Sequence, residues 1–181
     1  MHSKTRTILS ISSNPGLFGT YMYNYIFSEK GIPWHYQTIK VATKAEFNLL
    51  CDSFRQFDEF HGMSISMPFK SIVYTIFSDA RPCYDLPFLA NAKSCNTIVK
   101  QGSSIFSYST DVAIFKAFLD KYNLSNYSIF IYGTGSMAVL SSTYFSGLGF
   151  NVTTIPRNSI SNYTEIMHSG LDCAFINCTP A

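Results

Sequence analysis

Lys70 closes the stretch Gly62-Met63-Ser64-Ile65-Ser66-Met67-Pro68-Phe69-Lys70, an alternating run that ends in a turn. The pattern carries an ammonium group to the end of a buried strand, where it can accept, donate or position a proton. A second stretch, Tyr108-Ser109-Thr110-Asp111, brings a carboxylate to the start of an amphipathic helix. A third, Gly133-Thr134-Gly135-Ser136-Met137-Ala138, follows the apolar Ile129-Phe130-Ile131. Hydride removal from an alcohol requires the hydroxyl proton to leave in the same event. A lysine and an aspartate acting as a hydrogen-bonded pair, together with a nucleotide-binding turn, therefore outline a dehydrogenase. The ordinary alternatives are a solvated helix lysine at 70 and a plain helix cap at 111.

Gly133-x-Gly135-x-x-Ala138 sits between a strand and a helix, where missing side chains let the backbone approach a pyrophosphate at the positive helix end. In NAD-selective sites an acidic residue ends the next strand, about 20 residues on, and holds the ribose 2′-hydroxyl; a 2′-phosphate calls for arginine instead. That place here reads Ile155-Pro156-Arg157-Asn158, with no carboxylate. NADP is expected over NAD, because arginine pairs a phosphate bidentately. The alternative for Arg157 is a solvated surface side chain.

The elements that must position these residues follow from periodicity and turn signals. Thr5 to Ser12 reads as a strand ended by Ser13-Asn14-Pro15-Gly16, and Thr20 is the expected cap of a helix stopped by Lys30-Gly31. Trp34 to Val41 reads as a strand, Thr43 caps a helix to about Arg55, His61 to Ser66 is a third strand, and a helix covers 69–77. Residues 96–99 and 104–108 read as a hairpin around Gln101-Gly102. Asp111 opens a helix to about Tyr122. Strands over 127–132, 151–155 and 171–177, with a helix over 135–147, complete the pattern. The expected fold is α/β: a mainly parallel βα substrate domain over residues 1–110, then a partial Rossmann-type NADP-binding domain over 111–181.

Composition narrows the function classes. Thirteen Lys and Arg against eleven Asp and Glu, with no basic run, argue against a nucleic-acid surface. No apolar run approaches the roughly 18 residues that span a bilayer, and the first residues lack a secretory core, so a cytoplasmic protein is expected. Five cysteines without a Cys-x-x-Cys pair, and four histidines without ligand spacing, predict reduced thiols and no metal site.

Six ordered places resemble the shikimate dehydrogenase family, NADP-dependent enzymes of aromatic amino-acid biosynthesis. The family's Asn-Val-Thr-x-Pro-x-Lys is matched by Ser64-Ile65-Ser66-Met67-Pro68-Phe69-Lys70, its Ala-Val-Asn-Thr by Ser94-Cys95-Asn96-Thr97, and its Asn-Thr-Asp by Ser109-Thr110-Asp111. The glycine motif, Pro156-Arg157-Asn158 and Asn177-Cys178-Thr179-Pro180 complete the series. The resemblance implies Lys70 and Asp111 as the catalytic pair, with Ser64, Ser66 and Asn96 around the hydroxyls of a polyhydroxylated cyclic acid. It implies Gly133, Gly135, Ser136, Met137, Ala138, Arg157, Asn158 and Thr179 around NADP.

The chain departs from the family where Ser-x-Ser-Pro-x-x-His-Asn would hold a substrate carboxylate. It reads Leu17-Phe18-Gly19-Thr20-Tyr21-Met22-Tyr23-Asn24, with both serines absent. Two lost hydrogen bonds to a carboxylate, each worth about 1.5–3 kcal/mol, correspond to roughly 10²- to 10⁴-fold weaker binding. Thr20, Tyr21, Tyr23 or the Gly19 amide are the candidate replacements. Phe-Gly-Thr at this place resembles the shikimate dehydrogenase-like branch. The resemblance stops at Pro180-Ala181, short of the family's usual length, which implies a truncated chain. The alternative reading is a catalytically impaired ligand-binding remnant of the same fold.

Overall fold

A computed structural model describes residues 5–83, 86–159 and 172–179. The chain divides into two compact units, Met1–Cys83 with Ser94–Thr110, and Tyr84–Lys93 with Asp111–Ala181.

The first unit is built on a six-stranded sheet of order β2-β1-β3-β5-β6-β4. Its strands are β1 (Arg6–Ser12), β2 (Trp34–Lys40), β3 (Phe60–Ile65), β4 (Arg81–Pro82), β5 (Thr97–Gln101) and β6 (Ser104–Tyr108). Strands β1, β2 and β3 are parallel, and the β5–β6 hairpin joins β3 antiparallel. Helices α1 (Phe18–Glu29), α2 (Lys44–Gln56) and α3 (Lys70–Ile76) follow β1, β2 and β3. The expected cap at Thr20 is corrected: Leu17 is the cap residue, and Tyr21 N–H already bonds the Leu17 carbonyl at 3.2 Å. The Thr20 hydroxyl is instead 2.6 Å from that of Thr38 on β2. Thr43 does cap α2, in a reciprocal box with Glu46. At the other end of α2, the Lys100 ammonium donates to the carbonyls of Phe54, Arg55 and Phe57 at 3.4, 3.1 and 3.2 Å, satisfying acceptors that the helix leaves open.

Alternation along β1 sends Leu9 and Ile11 into a core shared with Phe47, Phe54, Met63, Ile65, Val73 and Ile98. Cys51 and Cys95 lie in the same core, and burial pushes both thiols up to about 12. The unfolded thiols ionise near 9, so above that pH the unfolded state binds fewer protons and stability falls with rising pH until the folded thiols titrate. At pH 10 the loss is expected to be roughly 1–2 kcal/mol per thiol. Urea unfolding between pH 8 and 10 checks this; a midpoint that Cys51→Ala and Cys95→Ala leave with the same pH slope would refute it.

The second unit holds a parallel sheet of order β8-β7-β9, from β7 (Ser128–Tyr132), β8 (Val152–Ile155) and β9 (Cys173–Asn177). Helix α4 (Val112–Lys121) precedes β7 and α5 (Ser136–Gly147) follows it. The core combines Phe115, Ile129, Ile131, Leu140 and Phe145 with Leu89 and Ala92 of a 3₁₀ helix, Pro87–Ala92. Residues 84–93, which the sequence pattern groups with the first domain, thus belong to this unit. Gly147 makes room for the Phe88 ring on α5, a contact that no local pattern announces. Among the described residues no helix is long and apolar enough to cross a membrane, and no cluster of His, Cys, Asp or Glu could hold a metal ion. His2, His168 and Leu171 lie outside the described residues, as do Pro180 and Ala181.

Candidate active site

Backbone hydrogen bonds gather four of the expected residues at the carboxyl end of β3. Ser64 is on the strand and Ser66 follows it, both exposed; Lys70 is the first residue of α3 and half-buried. The Ile65 amide donates to the Asn96 carbonyl at 2.7 Å, and the Cys95 amide donates to the Lys70 carbonyl at 3.4 Å. The loop before β5 is thereby held against the start of α3. Asn96 is only 8% exposed. Its Oδ1 accepts from the Thr110 amide at 3.0 Å and from the Thr97 hydroxyl at 3.0 Å, while its Nδ2 donates to Thr110 Oγ1 at 2.9 Å. Asn96 thus latches Thr110, the residue before Asp111. Sequence reasoning did not single out Thr110 in this role, because its partner is 14 residues away and in another element.

Asp111 occupies the cap position of α4, yet its side chain makes no capping hydrogen bond. Thr20 and Tyr23 lie on α1: the Thr20 hydroxyl meets that of Thr38, and the Tyr23 ring stacks on Tyr36 with centroids 4.6 Å apart. A cleft of about 650 Å³ runs over the sheet face between Tyr23, Tyr36, Ser64, Thr97 and Thr110 at one end and Arg6, His61 and Gln101 at the other. Tyr23 and Ser64 line it, whereas Thr20, Ser66, Lys70 and Asn96 do not.

In the second unit three strand ends converge on the glycine turn. The Gly133 amide donates to the Ile155 carbonyl at 2.9 Å, and the Cys178 amide to the Tyr132 carbonyl at 2.9 Å. Because β7 lies between the parallel strands β8 and β9, the glycine turn at its carboxyl end is flanked by a strand end on each side. Gly133 has φ +124°, and an added Cβ would stand 3.2 Å from the Cys178 carbonyl oxygen. Gly135 differs. It is the cap residue of α5 with φ −77°, and nothing lies within 4 Å of a Cβ built there. Neither backbone conformation nor packing requires glycine at 135.

Ser136 begins α5, Met137 is half-buried, and Ala138 packs in the core, as close helix-to-sheet contact requires. Arg157 and Asn158 are exposed in the turn after β8, where the Tyr132 hydroxyl donates to the Arg157 carbonyl at 3.2 Å. Thr179 closes a local turn, its amide and hydroxyl donating to Asn177 Oδ1 at 3.0 and 2.7 Å. Burial pushes the Cys178 thiol up, partly offset by the Ser141 hydroxyl, so this cysteine stays neutral beside the turn.

Residues 18–98 match the family described as the shikimate dehydrogenase substrate binding domain. Over this segment the chain is similar to the substrate binding domain of the shikimate dehydrogenases. It is 26% identical over 161 residues to a shikimate dehydrogenase-like protein of Haemophilus influenzae, covering 88% of this chain and 56% of that protein. The chain therefore spans little more than half the length of that curated relative. Among solved structures, a shikimate 5-dehydrogenase-like protein superposes with a TM-score of 0.71 at 24% identity, covering 99% of this chain and 68% of the other. The shikimate 5-dehydrogenase of Thermus thermophilus, solved in complex with NADP(H) and shikimate, gives 0.65 at 14% identity over 98% of this chain and 69% of the other. These structural likenesses show the α/β fold.

Proposed function

We propose that the chain serves an NADP-dependent oxidoreductase of the shikimate dehydrogenase type, acting between shikimate and 3-dehydroshikimate or on a related cyclic hydroxy acid. The observation that carries the nucleotide half of this reading is Gly135, a glycine that the fold itself does not need, at the positive end of a twelve-residue helix. Gly133, Gly135 and Ser136 would take the pyrophosphate, Met137 and Thr179 would flank it, and Arg157 with Asn158 would take the 2′-phosphate. Bound NADP supplies hydride acceptance.

On the substrate side Ser64, Ser66 and Asn96 would orient ring hydroxyls, with Thr20 and Tyr23 at the α1 side. Lys70 Nζ and the Asp111 carboxylate would manage the proton of the reacting hydroxyl. The shikimate dehydrogenase-like relative, together with the absence of hydroxyls at Leu17 and Gly19, supports membership of that branch and a substrate other than shikimate itself as the preferred one. Free cysteines suit a cytoplasmic setting.

The deciding assay follows NADPH formation from NADP with excess shikimate, and with quinate in parallel. Turnover of either supports the reading. NADP binding without turnover of these or other cyclic hydroxy acids would favour the alternative, a ligand-binding domain, to which the missing hydroxyls at 17 and 19 lend weight. Failure to bind NADP sinks the nucleotide assignment. Arg157→Ala is expected to weaken NADP by roughly 10- to 100-fold, the worth of a charge-assisted contact, while changing NAD affinity little. Equal losses for both nucleotides would show that Arg157 does not read the 2′-phosphate.

A further inference from the structure

Among the described residues strand β2 stands at one end of the six-stranded order, and with seven residues it is a long open edge. Such an edge is a template for pairing with another chain. The opposite edge, β4, is two residues long and includes Pro82, which has no amide to donate. Edge β2 has no proline between Trp34 and Lys40, and Trp34 is an exposed apolar side chain on it.

The direction of each peptide group on β2 follows from its partners. Pro33 offers its carbonyl to the Arg6 amide, and the Val41 amide donates to the Ser12 carbonyl. Odd-numbered groups therefore face β1, and the amide and carbonyl of Tyr36 face the open side. Both are nevertheless satisfied. The Tyr36 amide donates to Asn24 Oδ1 at 2.8 Å, and Asn24 Nδ2 donates to the Tyr36 carbonyl at 2.8 Å. One primary amide thus reproduces the donor and acceptor that a neighbouring strand would present.

We infer that Asn24 is a surrogate strand: it clamps α1 onto β2 at a single register and closes the middle of the edge against pairing with a second copy of this chain. Only a carboxamide can do this at that distance. Aspartate at 24 would keep the acceptor and lose the donor, and leucine would lose both. Because α1 also carries Thr20 and Tyr23, the clamp is a positioning device for those residues as well. The inference does not depend on the proposed reaction.

Amide hydrogen exchange of the whole chain, followed by NMR, tests it. In the unaltered protein the Tyr36 amide is expected to exchange slowly although it lies on an open edge. Asn24→Leu is expected to speed Tyr36 by roughly 10- to 100-fold, with the β1-facing amides of Gln37 and Ile39 much less affected, and to bring concentration-dependent association in sedimentation velocity. Asn24→Asp, which retains the acceptor, is expected to keep Tyr36 slow. A Tyr36 amide that exchanges at the unprotected rate in the unaltered protein overturns the inference. So does an Asn24→Leu protein with unchanged Tyr36 exchange and unchanged association. Should Asn24→Leu not fold, the rates in the unaltered protein and in Asn24→Asp decide.

Discussion

Lys70→Ala is expected to lower turnover by about 10²- to 10⁴-fold, the range of a lost proton-transfer group, while NADP affinity stays within roughly twofold. Several observations separate this outcome from a folding defect. Lys70 opens α3 and is not among the buried core side chains, which are its neighbours Phe69 and Val73. Alanine is the strongest helix former, so the substitution does not weaken α3. Its backbone carbonyl accepts from the Cys95 amide, a bond that alanine retains. The nucleotide candidates lie in the other compact unit. The measurement is kcat and KM for the cyclic acid, beside NADP titration and a thermal melt. A variant with full kcat would remove Lys70 from the chemistry, however well the motif matches.

The two glycines of the α5 turn should respond in opposite ways to the same added methyl group. At Gly133 an alanine must hold φ near +124°, a conformation that costs about 1–3 kcal/mol for a residue with a side chain, and its Cβ meets backbone atoms of Cys178 at 3.2 and 3.3 Å. Gly133→Ala is therefore expected to lower the melting temperature by several degrees and to weaken NADP through a distorted turn. Gly135→Ala faces open space at an ordinary φ. Its melting temperature is expected to match the unaltered protein, while NADP affinity falls by at least tenfold because the methyl group stands where the phosphates would approach the helix end. Calorimetric titration and melting of both variants check the pair. If Gly135→Ala binds NADP as tightly as the unaltered chain, the turn is not a phosphate site.

The amino-acid sequence by itself determined the order and kind of most elements, because each rests on a local signal. Alternation marks β1 and β3, the Thr43-to-Glu46 box starts α2, and two βα turns announce the parallel strands around β7. It also placed Lys70 after β3, Gly133 and Gly135 after β7 and Arg157 after β8, since a strand-to-helix turn lies wherever the periodicity changes. What it did not hold was pairing between distant segments. The cap of α1 is Leu17, while the Thr20 hydroxyl meets that of Thr38, 18 residues away on β2; residues 84–93 group with the second unit, where Phe88 fills the space over Gly147. Asn96 reads as a polar site residue from its motif, but only the fold shows that Thr110 occupies its amide. The role of Asn24 likewise exists only once β2 is known to be an edge. Local rules act over a few bonds and are written along the chain. The direction of a hydrogen bond across a sheet, or the presence of a ring over a glycine, is decided when distant segments meet.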